Sequence, residues 1–300
     1  MQRTVNRKNK DELFRFVFGR PDKKKWLLSL YNAINHSHHE NPDDITITTI
    51  ESVVYMSMKN DLSFLIDSTM SFYEHQSSFE PNLPMRMLLY AGMVYSKFVK
   101  TKKNRISLYS GIPQGIPVPK LVCLYNGKKD IGERMVLRLT EVLPGWEKSD
   151  IDASVLMLNI NRGRNKEIMD ACRPLSEYSN FIADVRQLYT ETGDKDYAVE
   201  TAILNLPGDS EIRLFLESNL AEVKMKCLTE YDAEREREIE REQYREVYLA
   251  KGIEEGRAEG ADRMGSLMIK LKELGRVDDA FKAAADPEYR ERLLKEFCLD

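Results

Sequence analysis

The fold is predicted most directly by residues 60–77, which read Asn-Asp-Leu-Ser-Phe-Leu-Ile-Asp-Ser-Thr-Met-Ser-Phe-Tyr-Glu-His-Gln-Ser. Two stretches rich in apolar and aromatic residues, 62–66 and 70–73, flank a polar centre, which is typical of a β-hairpin with its turn near residues 67–70. A turn centred on Ser68 and Thr69 would pair Ser63 with Glu74 and Asp61 with Gln76. Because opposed residues share a face of a sheet, these four side chains are predicted to project together.

The two carboxylates of this predicted face, Asp61 and Glu74, become diagonal neighbours at roughly 7–8 Å. Two like charges this close raise one pKa or recruit a cation, and carboxylate oxygens suit Mg²⁺ or Mn²⁺. Asp67 belongs to the turn rather than to this pair. The alternative is a hairpin edge that faces solvent and carries incidental acids.

Helices and strands are predicted on both sides of the hairpin. The periodicity predicts two short helices before it and one helix after it, beginning at Pro84, a residue favoured in the first helical turn. From about Glu167 the pattern is helical, which gives an α/β protein with a domain over residues 1–225 and a charged, helical region over 226–300. The predicted elements are helices at Leu13–Gly19, Trp26–Ile34 and Pro84–Val99, and strands at Ile45–Ile50, Val53–Met56, Leu121–Tyr125, Met135–Thr140 and Val155–Asn159.

Charge is distributed unevenly along the 300 residues, although the net charge is only −4. No Asp or Glu occurs between Pro81 and Lys129, while Lys and Arg recur there. Such a block favours a face that binds a polyanion, and the alternative is ordinary surface lysine. The N-terminus has no apolar stretch and no run approaches the length of a membrane span, so a cytoplasmic protein that does not enter membranes is expected.

Cysteines and histidines offer no strong metal motif. The four cysteines are far apart in sequence, without C-x-x-C spacing, and are expected to be free thiols. His36, His38 and His39 could coordinate a metal, but their Asn-, Ser- and Pro-containing neighbourhood favours a solvated loop.

The hairpin and several short motifs resemble the PD-(D/E)XK nuclease superfamily, and more narrowly its branch of recombination-promoting nucleases and transposase-related proteins. The resemblance covers most of the chain. The matching segments are Lys59-Asn60-Asp61-Leu62-Ser63-Phe64, Tyr73-Glu74-His75-Gln76-Ser77, Pro81-Asn82-Leu83-Pro84-Met85-Arg86, Leu124-Tyr125-Asn126-Gly127, Asn159-Ile160-Asn161-Arg162-Gly163-Arg164-Asn165 and the glycines 252, 256 and 260.

The resemblance implies a restriction-endonuclease-like core, a central mixed sheet flanked by helices, and a Mg²⁺-dependent DNA endonuclease in which Mn²⁺ can substitute. Asp61 and Glu74 would bind the metal, with the backbone carbonyl of His75 as a third ligand. Gln76 stands where the superfamily usually has a lysine that positions the attacking water, so it cannot supply that positive charge. Glu12, or its neighbour Asp11, would be the additional acid near the metal.

The helix after the hairpin is expected to face DNA. Met87, Ala91, Val94 and Phe98 form its predicted buried stripe, and a second stripe is more polar. The expected DNA contacts are Arg86, Tyr90, Lys97, Lys100, Lys102 and Lys103.

The C-terminal region is expected to mediate oligomerisation or regulation. Residues 222–262 read as a charged helix, in which three glycines every four residues indicate close packing against a partner backbone or a frayed hinge. Residues 267–297 read as a helical pair broken at Gly275 and near Asp286-Pro287.

Two other functions share this sequence pattern. A nuclease fold without catalytic activity could bind DNA or a protein, because a fold does not guarantee chemistry. A toxin-like nuclease in phage defence would use the same chemistry in another biological context.

Overall fold

The chain divides into two compact units, residues 1–234 and 235–300. The computed structural model describes residues 12–49, 62–101, 106–227, 242 and 263–299. The predicted boundary after residue 225 lies inside the helical stretch 220–227. Val223 and Cys227 of that stretch belong to the core of the first unit.

A six-stranded mixed sheet forms the centre of the first unit, in the order β1-β2-β3-β4-β6-β5. Strands β1, β2 and β3 are antiparallel neighbours, β4 and β6 continue parallel to β3, and β5 closes the far edge antiparallel to β6. The strands are β1 Thr46–Ile47, β2 Leu62–Ile66, β3 Thr69–Gln76, β4 Val118–Tyr125, β5 Arg134–Arg138 and β6 Ser154–Asn159. The α/β class is confirmed. Strand β1 is shorter than predicted, and the predicted strand at 53–56 lies outside the described residues.

Helices cover both faces of this sheet. One face, which carries Phe64 and Tyr73, packs in a core shared with α1, α2 and α6 to α8. The other face, which carries Met70 and Phe72, packs against α3. The helices are α1 Glu12–Phe18, α2 Lys24–Asn35, α3 Leu83–Lys100, α4 Leu139–Val142, α5 Lys166–Ala171, α6 Arg173–Thr192, α7 Lys195–Leu204 and α8 Glu211–Ser218. The sheet is therefore the middle layer of three.

The hairpin forms where it is predicted, but its register differs. Ser63 pairs with Phe72 and Ile66 with Thr69, instead of Ser63 with Glu74. The turn consists of Asp67 and Ser68, and Asp67 takes a left-handed backbone conformation with φ 49°. A two-residue hairpin turn requires positive φ, which Asp tolerates better than most residues. The predicted pairing centred on Ser68 and Thr69 is therefore wrong.

In the observed register, those of the predicted side chains that the structure describes still lie on one face of the sheet. The observed register is displaced by an even number of positions, so every side chain keeps the face given by alternation. Ser63, Phe72, Glu74 and Gln76 still project from the face that packs against α3.

Tyr95 ties the second half of α3 to the segment before β4, because its hydroxyl donates to the Pro117 carbonyl at 2.6 Å. Partial burial raises the pKa of Tyr95 to about 12. Since the native state keeps this proton above the pKa of an unfolded tyrosine, near 10, stability falls as the pH rises from about 10 to 12.

The melting temperature should therefore fall less steeply between about pH 10 and 12 in Tyr95→Phe than in wild type. Tyr109→Phe, at an exposed ring, is the control, and equal slopes for all three proteins would contradict the assignment.

Between residues 263 and 299, the second unit has three helical segments, 263–273, Val277–Ala285 and Pro287–Glu296. The predicted breaks at Gly275 and Asp286 are confirmed, but two breaks make three segments rather than a pair. Leu267, Leu271 and Leu293 lie in its buried core. Most of the predicted charged helix, including all three of its glycines, lies outside the described residues.

Within the described ranges, no helix is both long and apolar enough to cross a bilayer. All four cysteines are free thiols, as predicted, and three of them are buried.

Candidate functional site

Glu74 and Gln76 lie at the C-terminal end of β3, on the face of the sheet that α3 covers. Glu74 is 8% exposed and Gln76 3% exposed. Both residues lie on the part of β3 that pairs with β4, where Glu74 is opposite Cys123 and Gln76 is opposite Tyr125. Glu74 and Gln76 therefore share a face of the sheet, as alternation predicts, in a largely apolar layer.

A buried carboxylate is costly unless it is paired, and Glu74 is paired with Arg86. Nη2 of Arg86, which lies in the first turn of α3, contacts Glu74 Oε1, and Nη1 of the same guanidinium contacts Glu80 Oε2. Ser78 Oγ donates to the other Glu80 oxygen at 3.3 Å. The guanidinium thus bridges two carboxylates that come from β3 and from the loop after it.

Gln76 joins the same network through its side-chain amide. In its better hydrogen-bonding orientation the amide oxygen accepts from Arg86 Nη2 at 2.9 Å, and the amide nitrogen donates to the Ser78 carbonyl at 3.3 Å. In the reverse orientation the nitrogen donates to Glu74 Oε1 at 3.4 Å. Either way Gln76 lies within hydrogen-bonding distance of the charged groups.

His75 projects to the opposite face of the sheet. Its buried ring stacks on Phe14 at 5.5 Å with an interplanar angle of 6°, and meets Tyr178 edge-on at 5.8 Å. The ring therefore packs in the core beneath α1 and α6. Only the backbone carbonyl, which is the group that the resemblance assigns, remains a candidate ligand.

The remaining predicted acids are not gathered at Glu74 in the described part of the chain. Asp61 and Asp11 lie outside the described residues. Glu12 begins α1, and its carboxylate pairs with Lys226 at 3.3 Å. Among the residues that the structure describes, no group of three or more His, Cys, Asp or Glu side chains is arranged to hold a metal ion.

The donors around Glu74 nevertheless suit a hard cation. The carboxylates of Glu74 and Glu80 and the amide oxygen of Gln76 are all oxygen ligands, which Mg²⁺ and Mn²⁺ prefer. Two carboxylates against one guanidinium leave this cluster with a net charge of −1. One more acid would bring the charge to −2, which a divalent cation balances.

The predicted DNA-facing side of α3 divides into two parts. Lys97 and Lys100 are exposed near its C-terminal end, as expected, and Lys102 and Lys103 lie outside the described residues. Tyr90 is only 4% exposed and meets Phe72 edge-on at 6.0 Å. The predicted contact of Tyr90 with DNA is therefore wrong. Position 90 follows Met87 by three residues and so lies on the core stripe, where an amphipathic tyrosine ring can equally be accommodated.

An exposed aromatic residue lies elsewhere in the acid-free block and was missed. Tyr109 is fully exposed, with Leu108 and Ile112 exposed beside it, in the segment that leads to β4. The acid-free composition and the glycines and prolines of this segment are the signal that could have indicated it.

The other quoted motifs build the loops at the carboxyl ends of the parallel strands. A Cβ at Gly127 would lie 2.4 Å from the Ser77 carbonyl, so only glycine lets this loop pass the end of β3. Asn161 Nδ2 donates to the Gly127 carbonyl at 3.0 Å, and Asn159 Nδ2 to the Gly132 carbonyl at 2.8 Å. These asparagines shape the loop beside Gln76.

The histidine-rich segment is a loop, as predicted, and borders a cavity of about 590 Å³ between α2 and α5. His36 Nδ1 lies 3.6 Å from Glu167, and His39 Nε2 lies 3.6 Å from Asp67. His36 and His39 thus face two different carboxylates rather than a shared metal position.

Comparisons with protein-family models, with curated proteins and with solved structures found no match to this chain.

Proposed function

We propose that this protein is a metal-dependent DNA endonuclease with a PD-(D/E)XK core, of the branch linked to recombination and mobile elements. The observation that carries the proposal is the buried Glu74 carboxylate. It shares one face of a central strand with Gln76 and lies against the first turn of α3. Arg86 offsets the cost of burying this carboxylate, and the cluster of Glu74, Gln76, Arg86 and Glu80 on one sheet face offers the oxygen ligands and the cation that a metal and a phosphate would use.

Asp61 is the second metal ligand in this proposal. The described register pairs Leu62 with Tyr73. Asp61 directly precedes Leu62 in the sequence and Glu74 directly follows Tyr73, and the resemblance assigns both carboxylates to one metal ion.

The chemistry proposed is hydrolysis of a phosphodiester. Asp61 and Glu74 would hold the ion, Mg²⁺ or Mn²⁺, which when bound would lower the pKa of a water and neutralise charge on the phosphate. The water oxygen forms a bond to phosphorus while the bond from phosphorus to one sugar oxygen breaks. One water is consumed, its released proton goes to solvent, and the leaving oxygen takes up a proton. Gln76 can hold the attacking water by hydrogen bonds but carries no charge.

DNA is the proposed partner because the surface around α3 favours phosphate contacts. Lys97 and Lys100 extend from its exposed side, and the block from Pro81 to Lys129 contains no acid. Such contacts position a duplex without reading its sequence. We therefore expect weak sequence specificity.

A second candidate function is a nuclease fold without catalytic activity that binds DNA. Arg86 favours this alternative, because its guanidinium already neutralises the Glu74 carboxylate. The two functions differ in whether metal binds and whether DNA is cut.

Cleavage of supercoiled plasmid tests the proposal. Wild type should nick the plasmid with Mg²⁺ or Mn²⁺ and not with EDTA. Asp61→Ala should lose this activity, because half of the carboxylate pair is removed. Asp67→Asn, an uncharged variant in the exposed turn of the same hairpin, is the matched control and should retain activity.

Either of two results would contradict the endonuclease. One is equal nicking by wild type and Asp61→Ala. The other is plasmid shifted in a gel by wild type but left uncut with every metal, which would select the second function.

A further inference from the structure

We infer that Arg86 supplies the positive charge that Gln76 cannot, and that it contacts the scissile phosphate. The inference rests on the proposed function and adds a catalytic residue to it. Arg86 comes from α3 rather than from β3, yet its guanidinium reaches the same carboxylate and amide. The charge thus enters the site from a helix instead of from the strand.

Helix stability does not explain this arginine. Arg86 lies in the first turn of α3, where the N-terminal end of the helix dipole disfavours a cation, and that turn contains no acid. Its guanidinium instead fits a site function: it is planar, always charged, and able to bind carboxylate or phosphate through two N–H groups.

Two acids hold the guanidinium, and they are unlike each other. Glu74 is buried on β3, whereas Glu80 is more exposed and belongs to the loop. A divalent ion on Glu74 would compete with Nη2 of Arg86. Nη1 would keep its contact with Glu80, so the freed edge of the guanidinium could turn to an incoming phosphate without leaving the site.

This arrangement has a close structural match elsewhere in the first unit. Arg173 also bridges two acids, the buried Glu177 at 2.7 Å and the exposed Asp209 at 2.8 Å. Neither acid of this second cluster has been assigned to the site. Arg173→Gln therefore removes an equivalent pair of ionic contacts and controls for stability.

The test compares Arg86→Gln, Arg86→Lys and Arg173→Gln in the full chain. Three quantities are measured: Mn²⁺ affinity by calorimetry, single-turnover plasmid cleavage at saturating Mn²⁺, and the thermal melt. Arg86→Gln should cut about 10²–10³-fold more slowly, as when one donor to a developing anion is removed. It should also bind Mn²⁺ more tightly, because a competing cation is gone. Arg86→Lys should recover part of the rate.

Several outcomes would overturn the inference while leaving the endonuclease intact. They are cleavage by Arg86→Gln at the wild-type rate, or a loss of rate no larger than in Arg173→Gln with Mn²⁺ affinity unchanged. If Arg86→Gln does not fold, Arg86→Lys decides, because lysine lacks the two-pronged contact: a partial loss of rate at saturating Mn²⁺ without a matching loss of stability supports the inference, and a wild-type rate overturns it. Wild type that binds Mn²⁺ but cuts nothing overturns both the endonuclease and the role of Arg86 in it.

Discussion

Glu74→Gln should reduce metal-dependent plasmid cleavage by about 1,000-fold, which corresponds to roughly 4 kcal/mol of transition-state stabilisation. The substitution keeps the shape of the side chain but removes the charge that a divalent ion and Arg86 both require. The free energy of unfolding should change less than the free energy of activation, because Arg86 is partly exposed and keeps its contact with Glu80. The measurements are initial nicking rates with Mn²⁺ and a thermal melt of the same preparation.

Glu177→Gln is the matched control for this substitution. Glu177 is as buried as Glu74, at 6% exposed, and accepts from Arg173 Nε at 2.7 Å and from Ser210 Oγ at 2.7 Å. Glu177→Gln should lose at least as much stability as Glu74→Gln, because Glu177 accepts two short hydrogen bonds. Its cleavage rate should equal that of wild type. If the two variants lost cleavage in proportion to their loss of stability, Glu74 would be a structural acid only.

Phe14→Ala should lower the free energy of unfolding of the first unit by about 3–5 kcal/mol. Phe14 is fully buried on α1, stacks on Phe18 at 4.8 Å and on the ring of His75, and meets Tyr178 edge-on. Removing its ring leaves a cavity that rigid neighbours on α1, β3 and α6 cannot fill. Guanidinium titration followed by tryptophan fluorescence measures this, because Trp26 and Trp146 both belong to the first unit.

Tyr109→Ala controls for the loss of an aromatic ring at an exposed position. Its unfolding midpoint should stay close to that of wild type, with the same dependence on denaturant concentration. A small effect of Phe14→Ala, similar to that of Tyr109→Ala, would mean that the packing of α1 against β3 contributes little to stability.

Alternation was enough to predict which side chains share the site. Because side chains on a strand alternate strictly, Phe72, Glu74 and Gln76 had to lie on one face whatever the turn, and Ser63 joins them because the observed register differs from the predicted one by an even number of positions. The register could not be predicted in the same way. It depends on whether Asp67 or Thr69 adopts the unusual backbone of the turn, and both residues are polar and short.

The partner of Glu74 could not be predicted from the sequence either. Arg86 reaches Glu74 only because the segment between Gln76 and Leu83 folds back over the end of β3, and no periodic pattern describes such a segment. The predicted exposure of Tyr90 was wrong for a different reason. A tyrosine fits either the apolar or the polar side of a helix, so its spacing alone did not decide its environment.

If the proposed endonuclease binds its duplex along α3, the length of that helix sets a minimum size for the DNA substrate. Lys97 and Lys100 lie about 16 and 21 Å along the helix axis from Arg86, at about 1.5 Å per residue. At about 3.4 Å per base pair, this span covers about five to six base pairs, or half a turn of duplex. A duplex that fills the site and touches both lysines must therefore extend that far to one side of the cut bond, and a shorter duplex would reach the carboxylates without the anchoring charge.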